Sequence, residues 1–223
     1  MNVILFGASG MVGAGVLREC LADARVRSVL VVGRTPCGVT HAKLREILRT
    51  DFFEYSDIRT ELTGLDACFF CLGVSAAGKS EEAYRHLTYD LTMAAARVLA
   101  DVNPAMTFCY VSGEGTDSTE RGRFMWARVK GKTENDLLSM RFKAYMFRPG
   151  FIQPMHGIRS KTGWYKAVYA VMAPLFPLLQ RAFPKHMTTT ENVGRAMLEV
   201  AARGYDKKVL ENPDINALGG AHR

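Results

Sequence analysis

The chain has 223 residues, enough for one domain with a sizeable hydrophobic core. Hydrophobic residues make up 48% and charged residues 23%, so the composition excludes a wholly disordered chain. The net charge is +7, and residues 121–190 carry thirteen Lys and Arg against two Asp and Glu. This segment is either a solvated basic face or a surface that attracts phosphates, other anionic ligands or an anionic membrane. No nucleic-acid-binding module accompanies the charge, so we predict no nucleic-acid partner.

Apolar runs alternate with helical patterns, as in β–α–β units that build a parallel sheet. The patterns predict strands at 2–6, 28–32, 44–48, 67–72, 107–111 and 144–147, with a last short strand within 208–212. They predict helices at 11–22, 80–102, 126–140 and 190–203. The predicted fold class is therefore α/β, a Rossmann-type doubly wound parallel sheet with a small C-terminal cap, in a single domain over residues 1–223.

Residues 151–187 depart from this alternation, with four prolines, several aromatic residues and a basic charge. We predict that they form a cap over the carboxyl edge of the sheet, on the substrate side. Within them, 164–183 is apolar but interrupted by Pro174 and Pro177, and Lys166 and Arg181 enclose only 14 residues. A membrane-spanning helix needs about 20 apolar residues, so core or cap is the preferred interpretation.

The start of the chain has no basic region followed by a long apolar segment, so no secretory signal is predicted. The five cysteines are an odd number for disulfide pairing, and Cys68 and Cys71 form C-x-x-C inside a predicted buried strand. Side chains three apart on a strand point to opposite faces, so we interpret this pair as core residues rather than a metal or disulfide site. These features favour a reducing compartment, and we predict a cytoplasmic protein.

A glycine motif follows the first strand. Gly7, Gly10 and Gly13 form G-x-x-G-x-x-G between a strand and a helix. Gly7 allows the tight turn, Gly10 leaves room for a pyrophosphate beside backbone N–H groups, and Gly13 allows the helix to pack close to the sheet. Because the helix N-terminus then faces the phosphates, the motif predicts a dinucleotide site. The intervening residues of that site are Ser9, Met11 and Val12.

The end of the second strand indicates the type of dinucleotide. An acidic residue there binds the ribose 2′-hydroxyl of NAD, whereas a cation binds the 2′-phosphate of NADP. The chain has Arg34 and Thr35 there, and no Asp or Glu. A guanidinium can contact a phosphate through two parallel hydrogen bonds, so NADP is favoured over NAD. The alternative is that Arg34 is an ordinary exposed loop arginine.

With these residues the chain resembles the short-chain dehydrogenase/reductase superfamily, in its extended and atypical, epimerase-like branch. G-x-x-G-x-x-G is that branch's form of the glycine motif, and the resemblance covers residues 2 to about 150. It implies that Asp51 and Phe52 contact the adenine, with a simple turn role as the alternative for Asp51. It also implies further cofactor contacts after the fourth and sixth strands, at Cys71, Leu72, Gly73 and Pro149.

The catalytic positions depart from the family pattern. The family uses Tyr-x-x-x-Lys on a helix, where the lysine binds the ribose and lowers the pKa of the tyrosine, and a Ser or Thr after the fifth strand. Lys130 matches the lysine, but Trp126 stands at the tyrosine position, and an indole is no general acid at neutral pH. Ser112 is followed by Gly113 where epimerase-like relatives place the catalytic hydroxyl. The candidate catalytic residues are Lys130, Ser112 and Trp126.

Three functions follow from these residues. The first is an NADP-binding oxidoreductase that transfers hydride to a small carbonyl or anionic substrate beside Lys130 and Ser112. The second is a redox-inactive regulator or scaffold that binds the cofactor, which Trp126 and Gly113 favour. The third is peripheral contact with an anionic membrane through residues 159–185, the least favoured of the three. The expected partners are the nucleotide and a small-molecule substrate, in a monomer or homodimer.

Overall fold

Short runs of consecutive apolar residues form the centre of the fold, as expected of parallel strands that are covered on both faces. The computed structural model describes residues 1–158 and 185–220. Its strands are β1 (Asn2–Phe6), β2 (Ser28–Gly33), β3 (Leu44–Leu48), β4 (Ala67–Phe70), β5 (Thr107–Val111), β6 (Lys143–Arg148), β7 (Phe151–Gln153), β8 (Met187–Thr189) and β9 (Val209–Glu211). Seven of them form one parallel sheet in the order β3-β2-β1-β4-β5-β6-β9, and β7 pairs with β8 in a separate parallel sheet. This architecture confirms the predicted fold class.

Helices cover both faces of the large sheet. They are α1 (Met11–Ala22), α2 (Glu81–Arg85), α3 (Leu91–Val102), α4 (Met125–Leu138), α5 (Thr190–Arg203) and α6 (Asn212–Gly220). Alternate residues of β1 point to opposite faces: Val3 and Leu5 pack with α1 and α5, and Ile4 and Phe6 pack with α3. Because the chain crosses to one side after β1 and to the other after β3, β1 and β4 flank a crevice at their carboxyl ends.

The helix predicted over 80–102 is present, but it is not uniform. Ser80 caps it by accepting a hydrogen bond from Ala83 N at 3.2 Å, and a π-helical segment, His86–Asp90, joins α2 to α3. No turn or breaker residue in the sequence marks that segment. Hydrogen bonds one residue wider than those of an α-helix change which residues face the sheet on either side of it.

Helix α6 was not predicted, although its sequence carries a start signal. Asn212 followed by Pro213 is typical of a helix N-terminus, since proline fits the first helical position. The buried Asn212 side chain also accepts from Gly150 N at 3.0 Å and donates to Met187 O at 2.8 Å. It therefore connects the end of β6 to the start of β8.

Most of the predicted cap, and the apolar stretch 164–183, lie outside the described residues. Of the described part, Phe151 N donates to His186 O at 2.8 Å, so the two ends of residues 151–187 lie side by side. The cap therefore stays a prediction. Within residues 1–158 and 185–220, no helix is both long and apolar enough to cross a bilayer. All five cysteines are free, and Cys20, Cys68 and Cys109 are buried.

Candidate functional site

A cleft of about 1090 Å³ opens at the carboxyl edge of the large sheet. Every predicted site residue except Gly13 and Asp51 lines it. Those residues are Gly7, Ser9, Gly10, Met11, Val12, Arg34, Phe52, Cys71, Leu72, Gly73, Ser112, Trp126, Lys130 and Pro149. The fold thus brings together residues from six separate loops and strand ends, at the place where open parallel sheets bind ligands.

The two exceptions have different causes. A Cβ atom at Gly13 would lie 2.1 Å from Gly7 O, so Gly13 sits directly beneath the glycine turn and acts through packing, as predicted. Asp51 is exposed beside the cleft, and its carboxylate accepts a hydrogen bond from Phe53 N at 2.7 Å. This hydrogen bond is the turn role given as the alternative for Asp51, whose adenine contact stays a prediction, while Phe52 lines the cleft.

The glycine loop has the shape and the free donors that a pyrophosphate requires. Gly7 has a φ of +82°, and a Cβ atom there would lie 2.7 Å from Leu72 N. The turn closes with a 2.9 Å hydrogen bond from Gly10 N to Gly7 O. Helix α1 then begins with no side-chain cap and no acidic residue in its first turn. The N–H groups of that turn are therefore available to an anion, and the residues present fit a dinucleotide.

Arg34 and Thr35 lie exposed at the end of β2 and line the same cleft. Among the described residues, Arg34 forms no ion pair, and Glu114 is the only carboxylate-bearing residue in the cleft lining. Glu114 follows β5, on the other side of β1 from β2. Within the part of the chain that the structure describes, the Arg34 guanidinium is therefore not engaged by a carboxylate.

Trp126 and Lys130 lie one turn apart on α4, and both line the cleft. The Lys130 ammonium donates a hydrogen bond to the backbone carbonyl of Ser112. Burial lowers the pKa of Lys130 to about 8, and the negative charge of Glu134 partly opposes that shift. The indole of Trp126 packs beside Gly115, where a Cβ atom would lie 3.4 Å from ring atom Cη2. The titratable group on this helical face is therefore the lysine.

The Ser112 hydroxyl is engaged inside the protein. Its Oγ lies 2.5 Å from Glu134 Oε1 and 3.1 Å from Phe147 O, and both of these atoms are hydrogen-bond acceptors. Glu134 is fully buried and also binds Arg148, with 2.5 Å between Oε2 and Nη2. The hydroxyl proton of Ser112 thus points to a buried ion pair behind the cleft, which argues against Ser112 as a proton donor to a substrate.

Gly113 lines the cleft at the position where the family places a hydroxyl residue. Its φ is +142°, a conformation that side-chain-bearing residues rarely adopt. The backbone conformation at Gly113 therefore disfavours the serine or threonine that would supply this hydroxyl.

Several cleft residues were not identified from the sequence, among them Val74, Ser75, Ala76, Tyr84 and Glu114. Tyr84 is almost fully buried on α2, and burial raises the pKa of its phenol. Glu114 Oε1 lies 2.5 Å from His186 Nδ1, which joins the loop after β5 to the residue before β8. In the sequence, only the position of Glu114 shortly after a central strand indicated that it lines the cleft.

No family model matches the chain. Among curated proteins, it is 31% identical over 159 residues to "Protein fmp52, mitochondrial" of Emericella nidulans, covering 68% of this chain and 66% of that protein, slightly under two thirds of its length. It is 24% identical over 204 residues to the FMP52 protein of Meyerozyma guilliermondii, covering 90% and 85% of the two chains. Both are named as mitochondrial proteins, and this finding contradicts the predicted cytoplasmic location.

Solved structures show the same fold at low sequence identity. A short chain dehydrogenase family protein of Francisella tularensis superposes with a TM-score of 0.63 at 14% identity, covering 91% of each chain. The dTDP-glucose 4,6-dehydratase DesIV of Streptomyces venezuelae, solved with NAD bound, superposes with a TM-score of 0.68 at 15% identity, covering 98% of this chain and 80% of that one. The chain therefore shares the Rossmann-type α/β fold of these dehydrogenase and dehydratase structures.

Proposed function

We propose that the chain is an NADP(H)-dependent oxidoreductase of the atypical short-chain type, which acts on a small carbonyl compound. The observation that carries this proposal is the shared cleft, whose lining includes the uncapped glycine loop, Arg34, and the pair Trp126 and Lys130. Arg34 forms no ion pair with any residue in 1–158 or 185–220. The glycine loop would hold the pyrophosphate, and Arg34 with Thr35 would hold the 2′-phosphate. When bound, the cofactor supplies the hydride.

Lys130 is the residue we propose to hold the transferred proton. With a pKa of about 8, its ammonium is mostly protonated at neutral pH yet acidic enough to give up a proton. Its hydrogen bond to the Ser112 carbonyl keeps Nζ in place in the cleft. Trp126 would exclude water from that part of the cleft and would take no proton itself. Lys130 would thus replace the family's tyrosine as general acid.

A redox-inactive, cofactor-binding regulator is the second candidate. The observations that favour it are the indole at position 126 and the Ser112 hydroxyl, which is bonded to Glu134. With Trp126 in place of a tyrosine and the Ser112 hydroxyl bonded to Glu134, the cleft lacks the family's tyrosine and serine for proton transfer. The two candidates share the cofactor and differ only in turnover, so a single set of kinetic measurements separates them.

The test measures NADPH binding by calorimetry and NADPH consumption with a panel of small aldehydes and ketones. Lys130→Met should lower kcat/KM by about a hundred-fold or more, since general acid–base help contributes 10²–10⁴-fold. Lys132→Met is the matched control, because Lys132 lies on the same helix and pairs with Asp136 at 3.1 Å, outside the cleft. Binding without turnover on any substrate would favour the regulator. Absence of NADPH binding would refute both.

The names of the curated relatives support a mitochondrial location for this chain as well. Fractionation of cells that produce the protein with a C-terminal epitope tests this part of the proposal. Enrichment with mitochondrial markers is the expected result, and recovery with soluble cytosolic markers alone would contradict it.

A further inference from the structure

The loop between β4 and α2 carries a second glycine-rich pattern. Residues 73–80 have the sequence Gly-Val-Ser-Ala-Ala-Gly-Lys-Ser, which matches G-x-x-x-x-G-K-[ST]. In phosphate-binding loops this pattern follows a strand and precedes a helix, so that backbone N–H groups surround a phosphate and the lysine approaches it. Here the pattern follows β4 (Ala67–Phe70) after two residues and leads directly into α2.

The backbone donors of this loop are free. The N–H groups of residues 73–76 donate to no acceptor in the described part of the chain. The next part of the loop is held by two bonds, from Ala77 N to Ser75 Oγ at 3.2 Å and from Lys79 N to Ala76 O at 3.1 Å. Four consecutive N–H groups without acceptors are a local excess of positive potential, which suits an anion.

The same four residues, Gly73, Val74, Ser75 and Ala76, line the cleft. The loop lies against the first glycine turn, because the Cβ position of Gly7 is 2.7 Å from Leu72 N. A phosphate on this loop would therefore lie in the same cleft as the dinucleotide. The site would be an addition to the pyrophosphate site of the glycine loop at 7–13.

Charge near the loop is compatible with an anion. Lys79 is half-buried and forms no ion pair with any residue of 1–158 or 185–220. Of the two carboxylates that follow the loop, Glu81 is neutralised by Arg128, with 2.6 Å between Oε2 and Nη2. Ser80 uses its oxygen to cap α2 and keeps its hydroxyl proton to donate. The loop thus offers the N–H groups of residues 73–76 in the cleft lining, followed within the same pattern by the ammonium of Lys79 and the hydroxyl of Ser80.

We propose that residues 73–80 bind a phosphate or diphosphate group of the substrate, so that the substrate is a phosphorylated carbonyl compound. This rests on the proposed function, since it places the substrate beside the cofactor. The phosphate serves for recognition only and is not transferred.

The experiment titrates inorganic pyrophosphate into protein already saturated with NADPH, so that the first glycine loop is occupied. Lys79→Met should weaken pyrophosphate binding by about ten- to a hundred-fold, as expected for loss of a charge-assisted contact. Lys143→Met is the matched control, since Lys143 is an exposed lysine at the amino end of β6. Residues 73–80, by contrast, follow the carboxyl end of β4. The control should change the affinity less than two-fold.

A pair of isosteric variants tests the backbone donors. Ala76→Asp places a carboxylate among the free N–H groups and should abolish pyrophosphate binding, whereas Ala76→Asn should retain most of it. This pair decides the question if Lys79→Met does not fold. No pyrophosphate binding by the NADPH-bound parent, or equal affinity in the parent, Lys79→Met and Ala76→Asp, would overturn the proposal. If NADPH itself fails to bind, the proposed function is wrong, and the difference in pyrophosphate affinity between the Ala76→Asp and Ala76→Asn apoproteins then reports on the loop.

Discussion

Glu134→Gln should destabilise the protein strongly. The Glu134 carboxylate is fully buried, accepts from Ser112 Oγ at 2.5 Å, and binds the Arg148 guanidinium through Nε at 3.1 Å and Nη2 at 2.5 Å. Removing one partner of a buried ion pair costs about 3–5 kcal/mol, because the other charge stays desolvated. The partner that Arg148 keeps, Glu211, with 3.2 Å between Nη1 and Oε1, is half-exposed and compensates only in part. For a domain of this size each kcal/mol lowers Tm by about 2–4 °C, so the expected decrease is roughly 6–20 °C.

Urea unfolding of four proteins measures this effect: the parent, Glu134→Gln, Arg148→Met and the double variant. The double variant should lose less free energy of unfolding than the two single variants together, since it leaves no unpaired buried charge. In the surviving fold, the pKa of Lys130 should fall below about 8, because the Glu134 charge opposes the effect of burial. A loss under about 1 kcal/mol in Glu134→Gln, or strict additivity in the cycle, would refute the buried-pair argument.

Three further outcomes are expected. Arg34→Ala should weaken NADP(H) binding by about 1.5–3 kcal/mol, or ten- to a hundred-fold, and leave NAD(H) unchanged in calorimetry; equal loss for both cofactors would contradict the 2′-phosphate role. Carbonyl reduction should decline as pH rises through about 8, where Lys130 loses its proton, and a kcat/KM profile that is flat from pH 6 to 10 would exclude the lysine as the acid. Gly113→Ser should lower the free energy of unfolding in urea by about 1–3 kcal/mol, because φ at this position is +142°. Trp126→Tyr alone is therefore the better variant for restoring a proton donor. Wild-type stability of Gly113→Ser would show that the backbone relaxes.

The strands and the residues that line the cleft could be predicted because their signals are local. β1, α1, β3 and β5 have the predicted bounds, since a buried parallel strand is a short apolar run and α1 starts directly after a glycine motif. Arg34 and Trp126 also line the cleft as predicted. Arg34 directly follows β2, and Trp126 lies one turn before Lys130 on α4, so the position of each residue in its element was enough to predict this. Local pattern therefore determines which residues surround the site.

The chemistry of individual side chains depended on tertiary contacts and could not be predicted. The direction of the Ser112 hydroxyl is set by Glu134 and Arg148, which come from α4 and β6. The pKa of Lys130 depends on burial in the finished cleft. The positive φ of Gly113 is likewise a property of the loop after β5 in its folded context. Residue type alone suggested that the Ser112 hydroxyl is available to a substrate, whereas in the fold that hydroxyl is hydrogen-bonded to Glu134.

The pairing of β7 with β8 has a consequence for how this cleft can diversify. The two strands run parallel, with Phe151 opposite Met187 and Gln153 opposite Thr189. The chain therefore leaves β7 and re-enters at β8 on neighbouring strands, which are ~4.8 Å apart. Pro149 and Gly150, just before β7, and Ile152, within β7, line the cleft. Neither β7 nor β8 is a strand of the seven-stranded sheet, so this junction is separate from the register of that sheet. If the predicted cap contacts the substrate, an exchange of residues between β7 and β8 would change substrate preference at one junction and leave the glycine loop after β1 as it is.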